Sequence, residues 1–99
     1  MKKIKTFITL QGYQKQEQEG YIVDFDTSLF MYKGGCNSYI LTDIATGARV
    51  YEYTTSSYKK AMNLCKKHYF EYDLVSALKY FKSTKSYEKL VNKMQEAYL

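Results

Sequence analysis

The spacing of polar and apolar positions changes period near the middle of this chain. Residues 2–10 alternate, with Ile4, Thr6, Ile8 and Leu10 on one side and Lys3, Lys5, Phe7 and Thr9 on the other, the two-residue period of a strand. Gly12 opens a polar stretch, Gln14–Glu19, which has no apolar residue to bury and reads as a loop or an exposed hairpin tip. Residues 20–26 alternate again, Tyr21, Val23 and Phe25 against Ile22, Asp24 and Asp26. Leu29–Tyr32 extends this strand or forms an irregular edge, and Gly34-Gly35 breaks it.

The strongest local signal follows. Ser38–Asp43 and Ala48–Thr54 are strand-like runs joined by Ile44-Ala45-Thr46-Gly47, and Gly47 supplies the positive φ that such a hairpin loop needs. Tyr39, Leu41, Tyr51 and Tyr53 are available for cross-strand pairing. Of Tyr51 and Tyr53, one is expected to point into the core and the other outwards.

Beyond the hairpin the period becomes helical. Tyr58, Ala61, Met62, Cys65 and Tyr69 form one stripe, with Thr55 or Ser56 as the cap. Asp73 caps a shorter helix bearing Leu74, Ala77, Leu78 and Phe81. Ser83 or Thr84 begins a third, with Tyr87, Leu90, Val91, Met94 and Tyr98 on its stripe. Strands first and helices after predict one α+β domain over residues 1–99, a four-stranded antiparallel sheet covered by two to three C-terminal helices.

Charge adds a second asymmetry. Residues 55–99 hold nine lysines against Glu71, Asp73, Glu88 and Glu96, so the whole formal excess of +5 lies there. Lys59, Lys60, Lys66 and Lys67, with Asn63, lie opposite the apolar stripe of the first helix; Lys85, Lys89 and Lys93 recur one turn apart on the third, and Lys79 and Lys82 fall between. Such a face suits phosphate contacts without sequence specificity. With Arg49 as the single arginine, the bidentate reading of base edges is disfavoured. The expected partner is therefore a nucleic acid or nucleoprotein complex. The competing reading is a solvated face that keeps the chain soluble.

Composition narrows the classes further. Twelve tyrosines and five phenylalanines argue against disorder. Cys36 and Cys65 permit at most one disulfide, and no secretory or membrane-spanning stretch is present, so a reducing, cytoplasmic setting is expected. His68, the single histidine, closes a lysine-rich helix, where it suits the dipole. Asp24 and Asp26 share a strand face, a pair able to bind a divalent ion but more commonly a solvated surface. No cysteine–histidine spacing fits zinc, and Gly34-Gly35 lacks the lysine of a phosphate loop. The expectation is a non-catalytic binding protein with no cofactor, metal or small-molecule substrate.

Residues 39–67 resemble the β-hairpin-plus-helix of phage integrase arm-binding domains in Asp43, Thr46-Gly47, Ser57 and Ala61. They depart from them in lacking basic strand residues, with Glu52 where a cation would help. In size and composition the chain is similar to accessory proteins of phages and mobile elements, including inhibitors such as anti-CRISPR proteins. That likeness implies an alternative: blocking a host protein through a tyrosine-rich sheet surface, with Tyr39, Tyr51 and Tyr53 as the contact residues.

Overall fold

A computed structural model describes residues 2–10 and 14–97. The elements run β1 (Lys3–Thr9), β2 (Lys15–Ile22), β3 (Leu29–Gly35), β4 (Ser38–Asp43), β5 (Arg49–Thr54), α1 (Tyr58–Glu71), α2 (Leu74–Lys82) and α3 (Lys85–Ala97). The fold is α+β, as the pattern predicts, but the sheet has five strands, antiparallel in the order β1-β2-β3-β4-β5.

The additional strand is β2: residues 15–19 of it fall where a loop or an exposed hairpin tip is expected, and its last three, Gly20, Tyr21 and Ile22, where the strand over 20–26 is. It has no apolar face to display because its partner supplies the stabilisation. β1 and β2 pair from Lys3↔Tyr21 to Thr9↔Lys15, and Lys3–Glu19 and Lys5–Glu17 form ion pairs at 3.7 and 3.5 Å on the exposed side. The following strand is correspondingly displaced: residues 23–28 turn, and Leu29 begins β3.

β2 pairs with β3 only at Tyr21↔Met31 and Ile22↔Phe30, so the long β1–β2 hairpin diverges from the rest of the sheet. The far end of β1 meets the β4–β5 turn instead. There the Thr9 amide donates to the Gly47 carbonyl at 2.8 Å, and the Thr9 hydroxyl donates to the Thr46 carbonyl at 2.6 Å. The sheet therefore coils, and both of its faces are covered. One face packs Val23, Leu29, Met31, Tyr39, Leu41 and Tyr53 under Ala61 and Cys65 of α1 and Leu74 and Leu78 of α2. The other holds Ile8, Phe30, Tyr32 and Ile40. Burial on both sides explains the unbroken apolar run Leu29-Phe30-Met31-Tyr32, which shows no alternation.

The predicted hairpin is present. Gly47 has φ +70°, its amide donates to the Asp43 carbonyl at 2.7 Å, and the Asp43 carboxylate accepts from the Thr46 amide and hydroxyl.

The helix caps differ in detail from expectation. Ser57, not Thr55 or Ser56, caps α1: it is the last extended residue, and its hydroxyl accepts from the Lys60 amide at 3.2 Å. Asp73 precedes α2 but sits in the left-handed region, φ +59°, and its carboxylate takes the Ser76 hydroxyl instead of a backbone amide. Thr84 caps α3 as expected, accepting from the Tyr87 amide. Of the predicted α3 stripe, Met94 is buried and Tyr87, Leu90 and Val91 are half-buried; Tyr98, like Gly12, lies outside the described residues. Among the described residues no helix is long and apolar enough to cross a membrane.

Candidate nucleic-acid interface

The sequence assigns seven lysines to one basic face, and the fold divides them. All seven are exposed. Lys59, Lys60, Lys66 and Lys67 share the outer arc of α1, whose inner arc is anchored on the sheet: the Tyr58 hydroxyl accepts from the Lys33 amide at 2.9 Å, and the Tyr58 ring packs edge-on to Tyr21 and Tyr39. Lys85, Lys89 and Lys93 ride on α3, which docks elsewhere. Tyr87 lies against Asp43, whose charge adds to burial in raising the phenol to about 12. A Cβ on Gly47 would meet the Met94 methyl at 2.5 Å. Lys93 is close enough to Lys15 for its charge to add to burial in lowering that ammonium group's pKa. The α3 lysines thus flank the β4–β5 turn and the β1–β2 hairpin, apart from those of α1.

The α1 group is the better candidate because of what lies among its lysines. Leu64 follows Lys60 by one turn and precedes Lys67 by another; Phe70 follows both Lys66 and Lys67 by one turn. Phe70 is 60% exposed, and Tyr72, just past the helix end, is 69% exposed. Two shallow hollows border Lys67. One, of about 500 Å³, is lined by Tyr51, Tyr53, Leu64, Lys67, His68 and Tyr72; the other, of about 320 Å³, by Asn63, Lys66, Lys67, Phe70 and Glu71. Among the described residues the ion pairs are those of the β1–β2 hairpin, so the α1 lysines are not neutralised from within. Sequence reasoning missed Phe70 and Tyr72. The available signal was Phe70 on the polar arc of the helix, one turn from Lys66 and Lys67, with a second aromatic, Tyr72, just past the helix end.

The tyrosine-rich sheet surface is not an exposed surface. Tyr39 and Tyr53 are 3% and 6% exposed, closed over by α1, and Tyr32 is buried on the opposite face. Tyr51 alone of the proposed contact tyrosines reaches the surface, at 48% exposure. Tyr51 and Tyr53 do not point oppositely: they pair with Leu41 and Tyr39, both on the helix-covered face. Two residues apart on a strand share a face, and the depth of α1 above each sets its burial.

The Tyr53 hydroxyl and His68 Nδ1 are 2.8 Å apart. Cys65 is buried beneath the same helix, and burial pushes its thiol up to about 11, opposite to the shift that activates a nucleophile. Cys36 is exposed in the β3–β4 turn, and both cysteines are free. Asp24 is exposed, while Asp26 turns inward to accept from the Ser28 amide and hydroxyl and from the Tyr69 hydroxyl at 3.0 Å. They form no pair, because the strand ends at Ile22 and the alternation ends with it. No group of three or more potential metal ligands occurs among the described residues.

No family model, curated protein or solved structure matches this chain.

Proposed function

We propose that the protein is a non-catalytic binding protein that engages a nucleic acid or nucleoprotein complex through the outer face of α1. The observation that carries this reading is the exposed, un-neutralised set Lys59, Lys60, Lys66 and Lys67 on a single helical arc. Lys59 and Lys66, and likewise Lys60 and Lys67, stand two turns apart on that arc, so the four like charges run along one side of the helix, where a polyanion can neutralise them together. With three or four phosphate contacts, affinity for duplex DNA falls with salt at a log–log slope of about −3 to −4. A salt titration of binding to generic DNA and RNA measures it; a flat dependence, or no binding at low salt, overturns the reading. Reversal of Lys59, Lys66 and Lys67 to Glu abolishes binding while leaving the melting temperature nearly unchanged, because these side chains face away from Ala61 and Cys65.

A second reading is favoured by β5. It is a terminal strand of the sheet, and Tyr51 is exposed upon it, so a host protein could be held at that edge in the manner of a mobile-element inhibitor. On this reading Tyr51→Ala removes activity and the lysine reversals do not.

A further inference from the structure

We propose that the nucleic acid taken by the α1 face is single-stranded, held by lysine–phosphate contacts while unpaired bases stack on Phe70 and Tyr72. The proposal rests on the nucleic-acid reading above and adds the substrate class. Lysines alone do not discriminate, because single strands and duplexes present the same phosphates. The rings do. Phe70 and Tyr72 are each more than half exposed, and each belongs to one of the two hollows that meet at Lys67. Packing on Phe25 and Tyr69 accounts for part of the Phe70 ring; the remaining exposed ring surface gains nothing from water, whereas a base that stacks on it contributes roughly 1–3 kcal/mol. In a duplex the faces of the bases are already covered by their neighbours, so only a single strand can offer them.

The arrangement also predicts weak sequence preference. Arg49 is committed on the opposite side of the sheet, where its charge and hydrogen bond act on the Tyr32 phenol. No guanidinium is therefore available at α1 for base edges. Phosphate charge and base faces are common to all sequences.

The test uses fluorescence anisotropy at low salt. Labelled oligo-dT, oligo-rU, a duplex of equal length and an abasic strand of equal length are the probes. Both single strands are expected to bind at least tenfold more tightly than the duplex and the abasic strand. Phe70→Ala and Tyr72→Ala are each expected to lose roughly 5- to 150-fold on the single strands, from the stacking range above. The duplex affinity and the salt slope are expected to stay unchanged, since the phosphate contacts remain. Tyr72→Phe keeps the stacking face and is expected to bind as the parent does. Phe70 also touches Phe25 and Tyr69, so melting curves accompany its variant, and Tyr72, more exposed, carries the test if Phe70→Ala unfolds. Equal affinity for single strand and duplex, or undiminished single-strand binding by Tyr72→Ala, overturns this proposal while the phosphate-binding reading stands. Absence of binding to every probe overturns both. A preference for one of oligo-dT and oligo-rU identifies the source of the strand.

Discussion

The Tyr53 hydroxyl lies 2.8 Å from Nδ1 of His68, and this bond ties the inner end of the edge strand to the C-terminal half of α1. The Tyr51 ring closes the same cluster, edge-on to His68 with centroids 4.5 Å apart. The two tyrosines thus share a face and a neighbour but not a depth. Tyr53→Ala opens a cavity in the main core and is expected to cost about 3–5 kcal/mol, by analogy with other aromatic truncations. Tyr53→Phe keeps the ring and removes only the hydroxyl's hydrogen bonds, with His68 and Cys65, each worth about 0.5–1.5 kcal/mol. Tyr51→Ala is expected to cost about 1 kcal/mol or less, because half of the ring is already in water. Urea midpoints of the three variants measure this order, and a Tyr51→Ala loss equal to that of Tyr53→Ala would contradict it.

Gly47 is constrained twice. Its φ of +70° is unfavourable for any other residue except Asn or Asp, and a Cβ there would stand 2.8 Å from the Phe7 carbonyl oxygen and 2.8 Å from the Thr9 amide nitrogen. Both contacts are backbone and belong to the junction that coils the sheet. Gly47→Ala is therefore expected to cost about 2 kcal/mol or more, from the usual range for strained backbone. Gly35→Ala serves as the control, since nothing lies within 4 Å of its added Cβ. Thermal melts of both variants test this, and equal shifts would show that the Gly47 junction is not tight.

The two thiols should separate kinetically. Cys36 is exposed, whereas Cys65 is fully buried; burial raises its thiol, the hydrogen bond with Tyr53 partly opposes this, and the charge of Asp26 adds a smaller rise. A thiol-reactive dye is expected to label one cysteine promptly in the native protein and the second only in denaturant. Prompt labelling of both would show that α1 opens readily from the sheet.

The hairpin and the three helices were legible because their signals are local: Gly47 in a four-residue loop, and apolar residues at helical spacing from Tyr58 to Cys65. β2 was not, because its strand character resides in Lys3, Lys5 and the backbone of β1, with no apolar alternation of its own. The run Leu29-Phe30-Met31-Tyr32 was ambiguous for the opposite reason, since burial on both faces erases alternation. The α1 lysines were found from helical spacing alone. That the α3 lysines stand apart from them depends on where Tyr87 and Met94 dock, which no local pattern encodes. Tyr39 and Tyr53 were placed on a surface because alternation tells faces apart but does not tell which face a helix will cover.

Asp26 should make the fold sensitive to acid. Burial disfavours its charged form, but the Ser28 hydroxyl and amide, the Tyr69 hydroxyl and the charge of Lys82 outweigh burial and hold the carboxyl below its usual range. A carboxyl lowered in the folded state leaves the unfolded chain binding more protons between the two pKa values, so stability falls as pH falls through that window. The contribution is complete well above the unfolded value of about 3.9 and is lost as pH drops through the folded one. Denaturant midpoints followed from neutral pH down to about pH 2, for the parent and for Asp26→Asn, isolate this group. The difference between them is expected to hold steady above about pH 5 and to shrink steadily below it. Tyr69→Phe is expected to reduce the shrinkage, because it removes one of the bonds that favour the carboxylate while leaving the ring packed on Phe25. Parallel acid limbs for the parent and Asp26→Asn would place the acid sensitivity elsewhere in the chain.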